Sequence, residues 1–424
     1  MTADDAATAT ATAADAVVKA TRPKRSLALR VVTTSEIQTF RDCPAKHDFK
    51  YRRRLRTRVE GKALAIGHVF HRGMSEGLLA GWRNVEGCTV DQRLARQKHA
   101  AIAYVDTDVF EWVARVVQHD PNADYAGLQA FADDTGAMLK FMLVNYFERA
   151  KRDLTALVLL EVEGAFSVNV RDALGRKSRL TFDGVRDAVF YDPATNAIEL
   201  HEHKTVSNMP EDIGKRAEMD PQTSGYMYSL LEDRAAGRIK FLDGSPVPAD
   251  AILGRVAYNA VRKKKPSTPK VNKDGKVSVA AIDTLAELYI NALDLQAAPV
   301  AQGGRGIPIT AEQAAKAQEL AGRGGAAYYA RVEYQKTRAE IDRWRNDTFV
   351  DASRMRQADR DPRARTRNPG NCNMAWSMAC EYRAICLDDT PEIAATYRVS
   401  EHTHPEVREA EEMVAGAAAQ VSPF

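Results

Sequence analysis

The sequence predicts an α/β protein, a mixed sheet flanked by helical segments, and two textures along the chain predict it. Between residues 35 and 152 apolar residues recur at helical spacing: Ile102, Val105, Val109, Trp112, Val113 and Val116, then Phe131, Met138, Phe141 and Tyr146. From Leu157 onward, short β-branched or alternating runs are separated by turn residues, at 157–163, 166–170, 180–191 and 198–204. One more strand, at 252–261, follows a helix over 211–237, so the sheet contains a crossover.

Taken in order, residues 1–30 are Ala/Thr/Asp-rich and then basic at Lys24 and Arg25, with no periodic apolar face, which predicts a disordered tail. Order is expected from Ser35, because Ser35-Glu36-Ile37-Gln38 has capping-box spacing. The helix it opens runs through Phe40, Phe49 and Tyr51 into a basic run of Lys50, Arg52, Arg53, Arg54, Arg56 and Arg58. A second helix is expected from Ala63, carrying Phe70, His71, Met74 and Leu78, and residues 91–152 read as helical throughout. After the strand at 252–261 come Arg262-Lys263-Lys264-Lys265-Pro266 and a polar loop that turns at Asp274-Gly275. Helices are expected over 281–296 and 311–345, joined by Gln302-Gly303-Gly304-Arg305-Gly306. The last ordered segment carries three cysteines, and residues 401–424 read as a second tail. One unit over 31–400 is expected: a helical part (31–155), a catalytic core (156–265), loop and helices (266–345) and a cysteine segment (346–400).

Composition narrows the classes. At 424 residues the chain has ample material for one large or two ordinary domains. A hydrophobic content of 45% and a charged content of 28% are those of a soluble globular protein. Net charge is only +3, so nucleic-acid binding has to rest on local patches. No apolar run has the length of a membrane span, and the N-terminus does not read as a secretory signal. Five cysteines, an odd number, argue against a disulfide scaffold and for a reducing compartment, with the cytoplasm expected. There is no GxxxxGK(S/T) phosphate loop, so unwinding of DNA would fall to a separate helicase or recombinase. No zinc-finger or helix-turn-helix signature predicts sequence-specific cleavage.

The chemistry-bearing stretch is GVRDAVFYDPATNAIELHEHK, from Gly184 to Lys204. Asp187 lies on one apolar strand, and Glu202 and Lys204 close the next after a Pro/Asn turn. Carboxylates on neighbouring strands are suited to share a hard divalent cation. Lys204, two residues beyond Glu202, points to the same face. Phosphodiester hydrolysis requires this combination: a cation that activates water, and positive charge at the transition-state oxygens. Solvated strands also carry Asp, Glu and Lys. The apolar neighbours Ala188-Val189-Phe190, Ile198 and Leu200 instead put both acids on strands that bury a face, where a cation offsets desolvation. Gln222 and Tyr226, at i and i+4, share a helix face able to bond phosphate or sugar, or simply to form a half-buried polar face. His71, within GHVFH, by itself reads as a satisfied core or surface histidine sooner than as a ligand.

A second constellation is made of thiols. Cys372, Cys380 and Cys386 cluster in NCNMAWSMACEYRAIC, and Cys43 sits far upstream beside Pro44. Three clustered thiolates and a remote one suit a single metal centre, iron–sulfur or tetrahedral zinc, with unrelated buried cysteines as the alternative. Cys88 stands apart. Two basic patches flank the site in sequence: Lys50 to Arg58, and Arg262 to Lys265 with Lys270, Lys273 and Lys276. Both are suited to follow a nucleic-acid backbone, and the loop 266–280 to close over the strand.

In order over residues 33–388, SEIQTFRDCP (Ser35 to Pro44), Gly67-xxx-His71, Gly184-xx-Asp187, Glu202-His203-Lys204-Thr205 and Gln222-xxx-Tyr226 resemble the PD-(D/E)XK nuclease superfamily. Within it they resemble the RecB-like exonuclease branch, which includes CRISPR-associated and phage-encoded nucleases. The resemblance implies a restriction-endonuclease-like mixed sheet with a helical N-terminal segment and a helical C-terminal iron–sulfur segment. It implies that His71, Asp187 and Glu202, with the backbone carbonyl of His203, bind Mg²⁺ or Mn²⁺. Lys204 would orient or activate the attacking water, and Gln222 and Tyr226 would support the site. Glu163, on the preceding strand, is a weaker candidate for a supporting role. A 4Fe–4S cluster on Cys43, Cys372, Cys380 and Cys386 would staple the C-terminal segment to the N-terminal helix, zinc being the competing metal. The implied activity is a metal-dependent DNA exonuclease for single strands or strand ends in phage or bacterial replication, recombination or repair. Two alternatives are a CRISPR-type spacer-trimming nuclease and a catalytically idle DNA-end-binding scaffold; the intact Asp187, Glu202 and Lys204 weigh against the scaffold.

Overall fold

A computed structural model describes residues 30–58, 62–119, 124–209, 211–281, 283–372 and 379–408; residues 1–29 and 409–424, where tails are expected, lie outside these. Strand β1 (Arg30–Val32) leads into helix α1 (Thr34–Asp42). Thr33, not Ser35, caps this helix: its hydroxyl accepts from the Glu36 N–H at 3.2 Å, and Ser35 falls inside the first turn. The helix ends at Asp42 because Pro44 forces Cys43 into an extended conformation. Phe49 and Tyr51 therefore belong to a separate π-helical turn, Asp48–Arg52, after a short helix at Pro44–His47. Strand β2 (Leu55–Arg56) follows. Helices α2 (Lys62–Trp82), α3 (Val90–His119) and α4 (Tyr125–Arg149) come next. The expected single helical stretch is divided before Tyr125, where the Asp124 carboxylate caps α4 by accepting from the Gly127 N–H.

A six-stranded mixed sheet comprises β1, β3 (Val158–Asn169), β4 (Leu180–Asp192), β5 (Ala197–Val206), β6 (Ile252–Arg262) and β7 (Tyr329–Tyr334). The long β4 pairs with three of the others. β3 lies antiparallel along one edge, while β1 and β5 share the other, parallel and antiparallel respectively. The two runs read separately at 157–163 and 166–170 are one strand, β3, with a bulge between Leu159 and Glu161. The crossover from β5 to the parallel β6 carries α5 (Ile213–Met219) and α6 (Pro221–Ala235). After α7 (Ala286–Ala297), the stretch 311–345 is not one helix but α8 (Ala311–Arg323), strand β7 and the start of α9 (Arg338–Arg360). Gly324, at φ 50°, ends α8, and YARVEY then alternates as a strand antiparallel to β6.

Residues 186–190 of β4 and 197–203 of β5 are buried on both faces, so the polar side chains they carry need partners inside the fold. On one face Phe182, Val189, Ile198 and Leu200 pack with α1, α6 and α9 through Phe40, Tyr226 and Trp344. Gly225 allows this closeness: a β-carbon there would come within 2.7 Å of the Trp344 ring. On the other face Leu159, Ala188 and Phe190 pack with α2, α3 and α4 through Phe70, Met74, Val105 and Tyr146. The C-terminal segment returns to the N-terminal one, where β8 (Arg398–Val399) pairs antiparallel with β2. Residues 401–408, expected to begin a tail, are seated there too: His404 Nε2 lies 3.3 Å from Glu36, and Val407 is buried. No helix among the described residues is long and apolar enough to cross a membrane.

Candidate active site

The site forms where β4 and β5 part. Their ladder runs from Asp192/Ala197 to Ala188/His201 and stops. Beyond it, the His203 N–H donates to the Asp187 carboxylate at 2.7 Å. Asp187 thus fills the fork with its side chain. Across β4, Glu163 stands opposite Asp187, between the pairs Val162/Ala188 and Gly164/Arg186. Its backbone is left-handed, at φ 45°, which costs a non-glycine residue roughly 1–2 kcal/mol and marks a position held by its surroundings. The faces exchange at this kink. Ala188 packs into the α2–α4 core, yet Arg186, two residues away, reaches Ser229 and Asp233 of α6 on the opposite face. At the exchange point His71 of α2 meets both acids, with Nδ1 3.5 Å from an oxygen of Glu163 and of Asp187. The ligand atoms of these three residues lie within 4.8 Å of one another.

Glu202 and Lys204 face the α6 side. Lys204 Nζ lies 2.5 Å from Glu202 Oε1 and donates to Gln222 Oε1 at 2.6 Å; Gln222 Nε2 in turn donates to the Tyr226 hydroxyl at 2.8 Å. Helix α6 holds this row in place because Asp220 caps it through the Gln222 N–H and Pro221 occupies its first position. Continuing the β4–β5 register by one pair sets Glu202 opposite Asp187. His203 alternates to the other face, where Nε2 is 2.8 Å from the Tyr146 hydroxyl. Its backbone contact with Asp187 is made by the N–H.

The electrostatics follow from burying like charges together. Burial and the Asp187 charge push Glu202 up, beyond what Lys204 offsets. Burial would raise Asp187 too, but His71, the His203 contact and Lys204 outweigh it and hold Asp187 low. Burial would lower His71, and Asp187 and Glu163 reverse this and raise it to about 9. Burial disfavours charge on Lys204 as well, yet Glu202, Asp220 and Asp187 hold its ammonium above the usual lysine range.

These residues fit a divalent cation. Glu202 is fully buried and, apart from the Lys204 ion pair, neither of its carboxylate oxygens has an aligned hydrogen bond; Glu163 Oε1 is likewise buried without one. Buried acceptors lacking donors are costly, and a carboxylate and imidazole set is suited to Mg²⁺ or Mn²⁺. Of the residues singled out from sequence, His71, Asp187, Glu202, Lys204, Gln222 and Tyr226 are thus brought together. Glu163 stands nearer the centre than its expected supporting place. Its signal was the Glu163-Gly164 step inside a strand pattern, since glycine there marks a bulge or a close approach.

The thiols also converge. Cys43 is buried in a small core with Phe49, Leu55, Tyr382 and Tyr397, against which Cys380 and Cys386 pack. The Cys380 N–H donates to the Cys372 carbonyl at 3.0 Å. Burial pushes the Cys386 thiol up, and nearby Cys372, Cys43 and Cys380 add to this against Arg367. Cys88 stands apart, near Arg96. The first basic patch has another use than the one expected of it. Arg52 pairs with Asp48 and Asp359, and Arg53 with Asp389; Arg54, Arg56 and Arg58 donate to the carbonyls of Glu401, Thr403 and Ala395. That run binds the C-terminal segment.

The family model of the PD-(D/E)XK nuclease superfamily matches residues 31–387, from β1 through both helical layers to the cysteine segment. No curated protein matches the chain. With the match covering most of its length, the chain belongs to the PD-(D/E)XK nuclease superfamily.

Proposed function

We propose that this protein is a divalent-metal-dependent DNA exonuclease that acts on single strands or strand ends in phage or bacterial replication, recombination or repair. The observation that carries the reading is the meeting of His71, Glu163 and Asp187 beside the Glu202–Lys204 pair. Mg²⁺ or Mn²⁺ bound there would polarise the phosphate and lower the pKa of water. His71, Glu163, Asp187 and Glu202, with the backbone carbonyl of His203, would hold the cation. Lys204, beside Glu202 and held by Gln222, orients or activates the attacking water and supplies positive charge to the phosphate oxygens. Gln222 and Tyr226 keep the Lys204 amine in place. The RecB-like motif order supports exonuclease action, with strands supplied by a separate helicase or recombinase. Cys43, Cys372, Cys380 and Cys386 would hold a 4Fe–4S cluster that staples the two ends of the fold, which suits a reducing cytoplasm.

Labelled single-stranded and duplex DNA tests the activity: with Mg²⁺ or Mn²⁺ the wild type degrades it, and Lys204→Ala is slower by about 10²-fold or more. Equal degradation by both, or none by the wild type, contradicts the reading. The pH dependence of the cation's effect has a definite sign. Without the cation, Glu202 and His71 both keep protons further into the alkaline range in the folded than in the unfolded chain. Their stabilising contributions are present below the unfolded-state values and are lost as pH rises through the folded ones. Ligation requires both protons to leave, so the cation binds better as pH rises. Its addition therefore raises the melting temperature more at roughly pH 8 than at roughly pH 6, and Glu202→Gln reduces that difference; an equal gain at both contradicts the assignment. For the thiols, anaerobic purification yields a brown protein whose visible absorbance is lost in Cys386→Ala. A colourless protein with stoichiometric zinc contradicts the cluster.

A further inference from the structure

The end of the sheet that carries the site also carries an inserted lobe. β5 and β6 run parallel, with Lys204 beside Ala260 and Val206 beside Arg262. The Lys263 N–H donates to the Val206 carbonyl at 2.8 Å. The chain therefore leaves β6 three strand positions, roughly 10 Å, beyond the level of Lys204. It returns as β7 at Tyr329, paired with Val261, at the same end. Residues 263–328 are thus mounted at the mouth of the site.

The lobe is built to hold a hairpin firmly. Val277, Tyr289, Leu293 and Leu320 form its core. Inside it Gln313 donates to the Val277 carbonyl at 2.7 Å, and the Val277 N–H donates to Gln296 at 2.7 Å. The hairpin itself is closed by Asn272 N–H to Lys276 carbonyl and Ser278 N–H to Lys270 carbonyl, both 2.8 Å, and turns at Gly275 with φ 82°. It stands on the α2–α4 side of the mouth, because Lys265 pairs with Asp134 of α4. Phe131, Ala132, Thr135 and Leu139 of the same part of α4 line a small cavity with Ala65, Ile66 and Val69 of α2, just ahead of His71.

The charge on this hairpin is lopsided. Over 262–276 the basic residues are Arg262, Lys263, Lys264, Lys265, Lys270, Lys273 and Lys276, and the one acid is Asp274. Asp283 takes up Arg262 and Lys264, and Asp274 lies 3.7 Å from Lys276. Lys263, Lys270 and Lys273 have no acidic partner among the described residues, and the last two are exposed. With the other basic run spent on the C-terminal segment, these ammonium groups form a positive edge beside the site.

We propose that this hairpin is an arm that holds the phosphate backbone of the DNA strand leading to the site, through Lys263, Lys270 and Lys273. The assignment rests on the nuclease reading of that site. Lysines meet phosphates as point charges without reading bases, and each contact releases condensed counterions, so the arm shows in the salt dependence of binding.

The test is anisotropy binding of labelled oligo(dT) over a range of salt without divalent cation, using the full-length Lys204→Ala protein so that nothing is cleaved. This parent is compared with the same protein also carrying Lys263→Gln, Lys270→Gln and Lys273→Gln, and with a matched triple Lys→Arg form, melting curves confirming that all are folded. The arm predicts a slope of log affinity against log salt shallower by about 0.7 per lost contact, about 2 in all, and a parental slope in the arginine form. An unchanged slope overturns it, as does an equal loss in the arginine form or no DNA binding by the parent. The nuclease reading is judged separately, by cleavage with Lys204 intact. Cleavage with an unchanged slope removes the arm alone; arm-dependent binding without cleavage removes the nuclease reading alone.

Discussion

Carboxylates buried against one another at the fork of β4 and β5 are the constraint around which the fold is arranged. Two unit charges about 4 Å apart repel by about 4 kcal/mol at an effective dielectric near 20, a cost the protein cannot leave uncompensated. It divides the load between the two faces of the sheet. From one face α2 brings His71 to Glu163 and Asp187; from the other α6 brings Gln222, which holds Lys204 beside Glu202. Neither helix alone reaches all three acids, so the site needs a sheet covered on both sides. The oxygens of Glu163 and Glu202 that lack aligned hydrogen-bond donors leave an opening suited to a cation.

The backbone contributes as much as the side chains. A regular β3–β4 ladder would send alternate residues to alternate faces and separate the acids from their partners. The left-handed turn at Glu163 exchanges the faces in both strands at once, so that Arg186 buttresses α6 through Asp233 while Ala188 serves the opposite core. Local strain at that position is held by the pairs on either side of it. A second device joins the chain's ends. Glu36 of α1 is buried among His47, His404 and Arg30, and the arginines after Tyr51 grip the C-terminal segment that carries three of the thiols. These charges act as internal fastening.

Much of this was readable from the sequence where burial dictates pattern. β4, β5 and β6 announce themselves through short apolar or β-branched runs bounded by turn residues, Ala188-Val189-Phe190 among them. Asp187, Glu202 and Lys204 stand out against that background. What escaped depends on geometry that periodicity does not carry. Glu163 joins His71 only because its backbone kinks, and a lone glutamate before glycine does not specify a φ of 45°. β7 hid within a charged, helix-like stretch because YARVEY is short, and its place beside β6 comes from tertiary pairing. Thr33 and Ser35 are chemically equivalent caps; the pairing of β1 with β4 sets where α1 begins. The arginines after Tyr51 looked like a nucleic-acid surface because their partners lie more than 300 residues away.

Manganese binding followed by electron paramagnetic resonance tests the central claim most directly, since it reads the carboxylate–imidazole cluster without requiring turnover. The account predicts a Mn²⁺ site in the wild-type protein that Mg²⁺ competes for, abolished in Asp187→Asn and weakened in Glu163→Gln. Undiminished Mn²⁺ binding in Asp187→Asn, or none in a folded wild type, would contradict it.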